Sequence, residues 1–198
     1  DSEDTAGYRY DQLESLSCEN SSMHMGTNST SYYFSVASGN IGEFFDEMYL
    51  NTPWEQHYEN LDGRTILDRL ASVKYFVVKN NRYQYVPYGY YWLEGSAEKN
   101  GKIYEAFGSE EALPLGYTYD SFIPGEEYEK MTVTEKQQAL LQGIVLEDSS
   151  LPEITPEFND QEIPYEIRKG KACSVKDGKI KVTKEGAKLE PPFNGMEK

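Results

Sequence analysis

Apolar residues along the chain fall into short runs that predict strands. "AGYRYDQLESL", from residue 6, alternates apolar and polar positions as a half-buried strand does. "YYFSVAS", residues 32–38, predicts a second strand, and "VKYFVV", residues 73–78, is a β-branched and aromatic run typical of a buried strand. In "KNGKIYEAF" the pair Asn100 and Gly101 stands between two strand-like flanks and predicts a hairpin.

Three other segments carry apolar residues at helical spacing. Asn40 and Asp62 are expected to cap the first two helices, and Thr132 with Glu135 has the sequence of a capping box for the third. Gly143 is expected to end the third helix before the strand "IVLE". The residues expected to face the core are Ile41, Phe44, Phe45 and Met48, then Ile66, Leu67 and Leu70, then Leu140, Leu141 and Ile144.

The rest of the pattern sets the domain organisation. "SCENSSMHMGTNSTS" is predicted to be a polar loop, and prolines 152, 156 and 164 mark a crossing out of the first unit. A hairpin is expected around Asp177 and Gly178, with Val175, Ile180 and Val182 facing inward. We therefore predict an α+β domain at residues 1–150, with a mixed, mainly antiparallel sheet and about three helices, and a Pro-rich crossing with a partial β unit at 151–198.

Composition and charge exclude several classes of partner. The 198 residues carry a formal net charge of −15, so nucleic acid and anionic membrane surfaces would repel the chain. No apolar run reaches the 18 residues that a membrane-spanning helix needs, and "DSEDTAGYRYDQ" does not resemble a signal peptide. Because the chain begins with Asp1 rather than Met, we expect it to be part of a longer protein.

The residues that usually carry chemistry are scattered. Cys18 and Cys173 fit no zinc spacing, and two separate buried thiols are favoured over a disulfide. His24 and His57 lie in different predicted loops and are expected at the surface, as are the acidic pairs 110–111 and 126–127. Asn20 and Asn28 match the glycosylation sequon, but short sequons arise by chance in Ser-rich loops. We expect no catalytic residue, no metal and no cofactor.

One aromatic segment is the best candidate for binding. "RYQYVPYGYYWLEG", residues 82–95, contains Tyr88, Tyr90, Tyr91 and Trp92, and sugar rings stack on such side chains through their C–H faces. The alternative is that strand alternation buries about half of these rings in the core. The binding hypothesis requires several of the rings to be exposed on one concave face.

Four ordered motifs resemble one family. "LDRLASVKYFVV", "IYEAF", "ALPLGYTYDSFI" and "EKQQALLQGIVLED" follow one another as they do in the YfhO family of bacterial membrane proteins. The segment from "YRYDQLES" to "YYFSVASGNIGEFFDEM" is similar to the part before them. The resemblance is close over residues 8–150 and looser in the tail. Within it, we expect "LPLGYTYDSFI" to be a half-buried strand that leads into the capped helix, with Leu115, Tyr117, Tyr119 and Ser121 alternating.

The resemblance implies a functional setting that the residues alone do not. It implies a multi-span glycosyltransferase of the GT-C type, linked to glycosylation of Gram-positive cell-envelope polymers such as lipoteichoic acid. On that basis we expect this chain to be an extracytoplasmic, non-catalytic domain whose first partner is the rest of the parent protein and whose candidate ligand is an envelope glycan. Two alternatives stay open: a carbohydrate-binding module that uses Tyr88, Tyr90, Tyr91 and Trp92, and a free-standing glycan hydrolase with an acid pair in a cleft.

Overall fold

The computed structural model describes residues 7–12, 20–52, 56–159, 173–176 and 179–182, the last two ranges by their backbone alone. Eleven strands occur in these residues. They are β1 (Arg9–Asp11), β2 (Asn28–Ser29), β3 (Tyr32–Tyr33), β4 (His57–Tyr58), β5 (Val73–Lys79), β6 (Tyr91–Lys99), β7 (Lys102–Gly108), β8 (Phe122–Pro124), β9 (Ile144–Leu146), β10 (Cys173–Lys176) and β11 (Lys179–Val182).

Five α-helices and one short 3-10 helix accompany the strands in the described part of the chain. They are α1 (Ser21–Met25), α2 (Gly39–Glu47), α3 (Thr65–Leu70), α4 (Gly125–Glu129) and α5 (Val133–Ala139), with the 3-10 helix at Tyr83–Tyr85. The three predicted helices are α2, α3 and α5, so α1 and α4 are additions. Both additions have five residues, too few to show a helical period in the sequence.

The helix caps were predicted with mixed success. Thr132 and Glu135 form the complete capping box at the start of α5, as expected. Helix α2 begins two residues earlier than the sequence suggested, after Ser38, so Asn40 lies inside it. Asp62 does not cap α3, whose N-cap is Arg64; instead the Asp62 carboxylate accepts a hydrogen bond from the backbone N–H of Asn51 at 3.1 Å.

The main sheet has five strands in the order β2-β1-β5-β7-β6. Strand β1 lies parallel to both β2 and β5, whereas β7 is antiparallel to β5 and to β6. The predicted hairpin at Asn100 and Gly101 joins β6 to β7, and both residues have positive φ (55° and 71°) as a two-residue turn requires. The domain is thus an α+β fold with a mixed sheet that is mainly antiparallel by paired residues, as predicted.

Strand β6 forms one edge of this sheet and is irregular. Trp92 pairs with Phe107 but Ser96 pairs with Glu105, so β6 has two extra residues between these pairs. Gly95 lies in this bulge with φ of 128°, a conformation that residues with a side chain rarely adopt. Eight of the nine residues of β6 are exposed, which leaves this strand with little core contact.

Two apolar clusters hold the first unit together. The larger one contains Phe45, Met48, Leu50, Tyr58, Leu61, Leu67, Val73, Ile123, Tyr128 and Ala139. The smaller one, Phe76 with Val78 and Phe107, lies on β5 and β7. Tyr90 packs against both clusters, so its ring links the sheet to the helices.

Residues 113–121 do not form the predicted strand. "LPLGYTYDS" has no regular secondary structure until β8 begins at Phe122, and Leu115 and Tyr117 are exposed. The hydroxyl groups hold this segment instead: Tyr117 donates to the carbonyl of Leu70 at 3.3 Å, and Tyr119 donates to the carbonyl of Leu140. The segment therefore bridges α3 and α5 as an ordered loop, and the chain passes through β8 and α4 before α5.

The chain divides into two compact units, Asp1–Phe158 and Asn159–Lys198. Residues 151–158 belong with the first unit, because Phe122 N–H donates to the Pro152 carbonyl at 2.9 Å and Ile154 N–H donates to the Phe122 carbonyl at 2.9 Å. In the second unit β10 and β11 pair in antiparallel fashion, with Val175 opposite Ile180. The side chains of Val175, Ile180 and Val182, which were predicted to face inward, lie outside the described part of the chain. The side chains of both cysteines do so as well.

Among the described residues, no helix has the length and apolar character needed to cross a bilayer.

Candidate functional site

The segment that leads into β6, together with the first residue of that strand, places three of the four predicted aromatic side chains around one depression. Tyr88 is 89% exposed, Tyr91 is 48% exposed, and Tyr90 is half-buried between them. These three tyrosines line an open surface depression of about 700 Å³ together with Gly89, Glu110 and Glu111. The lining of the depression thus combines three tyrosines with two glutamates.

The backbone of this segment is held in place from below. The Thr65 hydroxyl at the start of α3 donates to the carbonyl of Tyr88 at 2.9 Å. Gly89 has φ of 86°, a backbone conformation that residues with a side chain rarely adopt, so a substitution there would strain the backbone. The Tyr90 hydroxyl donates to the Val73 carbonyl at 2.7 Å, and its ring meets Phe76 edge-on at 5.9 Å. Tyr90 is therefore a fixed wall, whereas Tyr88 extends into solvent.

Trp92 points to the opposite face of β6 from Tyr91. Tyr91 pairs with Gly108 and Trp92 pairs with Phe107, and successive strand residues point to opposite faces. Trp92 is 52% exposed, but it does not line the depression. The structure thus brings Tyr88, Tyr90 and Tyr91 together around the depression and leaves Trp92 out of its lining.

The acidic side of the depression is partly neutralised. Arg69 of α3 forms an ion pair with Glu111, and the Ser109 hydroxyl accepts a hydrogen bond from the Glu111 backbone N–H at 3.3 Å. Glu110 is exposed and stands beside this pair. The depression therefore offers stacking surfaces, one engaged carboxylate and one exposed carboxylate, which suits a neutral polyhydroxylated ligand better than a polyanion.

The structure places the predicted surface histidines differently. His24 is exposed on α1, as expected. His57 is only 8% exposed in β4, with its Nε2 at 3.6 Å from Glu59 Oε1 and its ring at 6.1 Å from that of Tyr33. The prediction for His57 was wrong because pairing of β4 with β3 covers it, and the sequence shows no signal for a two-residue strand.

The two sequons also differ. The Asn20 side chain donates to the Tyr33 carbonyl at 2.8 Å and accepts from the Tyr33 backbone N–H at 2.9 Å. Asn28 is exposed. The amide nitrogen of Asn20, the atom that glycosylation would modify, is thus already used in holding two segments together.

Sequence reasoning missed two buried carboxyl groups behind Tyr90. Asp11 at the end of β1 is 1% exposed, and Asp68 in α3 is 0% exposed. Burial, and then the charge of Asp11, raises the pKa of Asp68 to about 9. Burial also raises the pKa of Asp11 to about 7, although hydrogen bonds from the backbone of Gln12 and Leu61 partly lower it. One signal was present: Asp68 shares a helical stripe with Leu67 and Ala71, which face the core.

No group of three or more metal-binding side chains occurs within the described ranges.

The comparisons with known proteins give a family. A family model described as bacterial membrane protein YfhO matches residues 2–191. The uncharacterized protein YfhO of Bacillus subtilis (strain 168) is 26% identical over 164 residues, which is 81% of this chain and 18% of that protein. The chain thus spans less than a fifth of the length of this relative. No solved structure matches the chain.

Proposed function

The chain belongs to the YfhO family of bacterial membrane proteins, and from this premise we propose that it is a non-catalytic, extracytoplasmic domain of a membrane protein that glycosylates cell-envelope polymers. The family match over residues 2–191 carries the proposal. The membrane-embedded remainder of such a protein would supply the chemistry, with a lipid-linked sugar as donor. This domain would shape the outer face of the enzyme near the acceptor polymer, of which lipoteichoic acid is an example.

The surface charge limits how the domain meets that polymer. With a net charge of −15, the chain repels a polyphosphate backbone at long range. Direct contact then requires either bridging cations or a locally neutral face that meets the sugars. The depression beside Tyr88 is a candidate for such a face, because three tyrosines line it and Arg69 neutralises Glu111.

The sidedness is tested in the parent protein. Thr118 is exposed in the loop that bridges α3 and α5, so a Thr118→Cys substitution, in a parent protein with its native cysteines replaced, gives a single reactive thiol. We expect a membrane-impermeant maleimide to label this thiol in intact cells. Labelling only after the cells are permeabilised would contradict the extracytoplasmic placement.

The division of labour is tested with the 198-residue chain alone. We expect no turnover when it is incubated with a lipid-phosphate-linked sugar and an acceptor polymer, while membranes containing the full-length parent protein transfer the sugar. Transfer by the isolated chain would refute the non-catalytic assignment.

A second candidate function is saccharide binding, with the depression formed by Tyr88, Tyr90 and Tyr91 as the site. We infer it from the two exposed rings and the exposed Glu110 carboxylate, which offers an acceptor for sugar hydroxyl groups. A stacked ring contributes about 1 kcal/mol, or about a fivefold change in affinity.

The test screens neutral saccharides against the chain and measures the affinity of any that bind by calorimetry. Tyr88→Ala and Tyr91→Ala are each expected to weaken binding about fivefold or more. Trp92→Ala is the matched control, since Trp92 is a similarly exposed ring on the opposite face of β6. An equal loss in all three variants, or no binding by the wild-type chain, would exclude the depression as the site.

A further inference from the structure

The structure contains a pair of buried carboxyl groups that neither proposed function uses. Asp11 and Asp68 are 1% and 0% exposed, respectively. No ion pair to either one occurs among the residues that the structure describes. Two unpaired carboxylates so deep in a fold are costly, because desolvation and mutual repulsion both disfavour the charged forms.

The hydrogen bonds distinguish the two carboxyl groups. Asp11 accepts from the backbone N–H groups of Gln12 at 2.6 Å and Leu61 at 3.2 Å, which favour its charged form. Neither oxygen of Asp68 has a hydrogen-bond partner among the described residues. The Thr30 hydroxyl lies near Asp11 without a hydrogen bond of ordinary geometry. The geometry thus makes Asp11 the better carboxylate and Asp68 the better carboxylic acid.

The surrounding charged groups do not neutralise Asp68. Burial, and then the charges of Asp68 and Asp11, raise the pKa of Tyr90. Asp62 adds a further negative charge near Asp11. The cations on the neighbouring elements are directed elsewhere: Arg9 to the Ala71 carbonyl, Arg64 to the carbonyls of Met48 and Tyr49 and to Asp62, Arg69 to Glu111, Lys74 to the rings of Tyr8 and Tyr75, and Lys136 to Glu47.

We propose that Asp11 and Asp68 form a proton-holding pair in which Asp68 keeps its proton at neutral pH, and that loss of this proton loosens the contact between β1 and the turn that follows α3 and disturbs the wall of the depression that Tyr90 forms. Arg9 holds this contact through two hydrogen bonds. Its guanidinium donates to the Ala71 carbonyl at 2.6 Å, and its backbone N–H donates to the Ser72 carbonyl at 2.8 Å. The inference goes beyond the proposed function and does not depend on it, since the titration is expected whether or not the depression binds a saccharide.

The sign of the pH effect follows from the proton. In the folded chain Asp68 has a pKa of about 9 and therefore keeps its proton at neutral pH. In the unfolded chain it loses the proton near the ordinary aspartate pKa of 3.8. The stabilisation from this proton is therefore fully present below about pH 4 and is lost as the pH rises towards 9.

The first experiment titrates the 198-residue chain with its aspartate carboxyl carbons labelled with ¹³C and follows them by NMR from pH 4 to pH 10. We expect two carboxyl signals to titrate above the rest, and the one with the higher midpoint to be missing in Asp68→Asn. The backbone amide signals of residues 88–91 are expected to shift with the same midpoint in the wild-type chain and to lose this step in the variant. All aspartates titrating below about pH 5 would overturn the proposal.

The second experiment measures urea unfolding midpoints across the same pH range. The fall of the midpoint with rising pH is expected to be smaller in Asp68→Asn, whose side chain is neutral at every pH, than in the wild-type chain. Asp120→Asn, which removes an exposed carboxyl group, is the control and should retain the wild-type slope.

Two results of this second experiment would overturn the proposal. One is an equal slope in Asp68→Asn and the wild-type chain. The other is a rise in the wild-type midpoint on addition of Ca²⁺ that Asp68→Asn abolishes, because the pair would then be a cation site. If Asp68→Asn does not fold, the wild-type NMR titration still decides whether any carboxyl group keeps its proton at neutral pH.

Discussion

At the scale of single residues, Asn20 shows how a polar side chain can hold two segments together by hydrogen-bonding to the backbone. It precedes α1 with a positive φ of 55°. Its side-chain amide forms two hydrogen bonds with the backbone of Tyr33, one through the nitrogen and one through the oxygen. Asparagine tolerates this backbone conformation better than most residues, and its side chain offers one donor and one acceptor. The residue thus fixes the start of α1 against β3.

We expect Asn20→Ala to lower the free energy of unfolding by about 2 kcal/mol, since it leaves both backbone groups of Tyr33 without this partner. Urea unfolding at constant pH measures the change. Asn28→Ala, at the exposed second sequon, is the control and should change stability by less than about 0.5 kcal/mol. Equal losses in the two variants would show that the Asn20 clamp contributes nothing of its own.

At the scale of elements, the start of α5 depends on Thr132. Its hydroxyl accepts from the Glu135 backbone N–H, and the Glu135 carboxylate accepts from the Thr132 backbone N–H at 2.7 Å. The hydrogen bond from the Thr132 backbone N–H, and a second one that the Thr132 hydroxyl donates to the same carboxylate at 2.7 Å, lower the pKa of Glu135. The contribution of the capping box is therefore present near neutral pH and is lost as the pH falls through that lowered pKa.

Thr132→Ala is expected to lower the free energy of unfolding by about 1 kcal/mol, the usual effect of removing an N-cap side chain. Thr134→Ala changes the same type of residue two positions later, at an exposed site, and should have little effect. Thermal unfolding of both variants at neutral pH makes the comparison. A larger loss for Thr134→Ala would mean that the capping box is not what stabilises this end of α5.

Elements set by local chemistry were predictable from the sequence, and those set by distant contacts were not. Thr132 with Glu135, and Asn100 with Gly101, each specify their structure within four residues or fewer. The loop at residues 113–121 has the alternation of a strand, but Tyr117 and Tyr119 donate to carbonyls on two separate helices. Asp68 lies on the core-facing stripe of α3, but its proximity to Asp11 depends on how β1 packs, which the local sequence does not show. Of the four rings singled out in the sequence, Tyr88, Tyr90 and Tyr91 line the depression and Trp92 does not. Strand alternation explains this difference, because neighbouring residues of β6 point to opposite faces.

At the scale of the whole molecule, the boundary of the first unit lies after Phe158 rather than after residue 150. Besides the two backbone hydrogen bonds to Phe122, the Gln142 side chain donates to the Glu157 carbonyl at 2.8 Å and accepts from the Glu157 N–H at 2.9 Å. Ile154 and Phe158 pack against the larger core cluster. Residues 151–158 thus complete the fold of the first unit.

A chain ending at residue 150 is expected to be less stable than one ending at residue 158 by about 3 kcal/mol or more. This estimate counts the lost burial of two apolar side chains and four hydrogen bonds. Urea unfolding of the two truncated chains, followed by circular dichroism, measures the difference. Matching midpoints would mean that residues 151–158 only rest on the surface of the unit.

The irregular edge strand β6 bears on whether the molecule can aggregate through its main sheet. A flat, regular edge would present a continuous row of free N–H and C=O groups to which another chain could add by hydrogen bonding. The two extra residues after Trp92 break that row, and Glu94, Glu98 and Lys99 place charges along it. The bulge and these charges therefore oppose the addition of a strand from another chain, which disfavours aggregation through this edge.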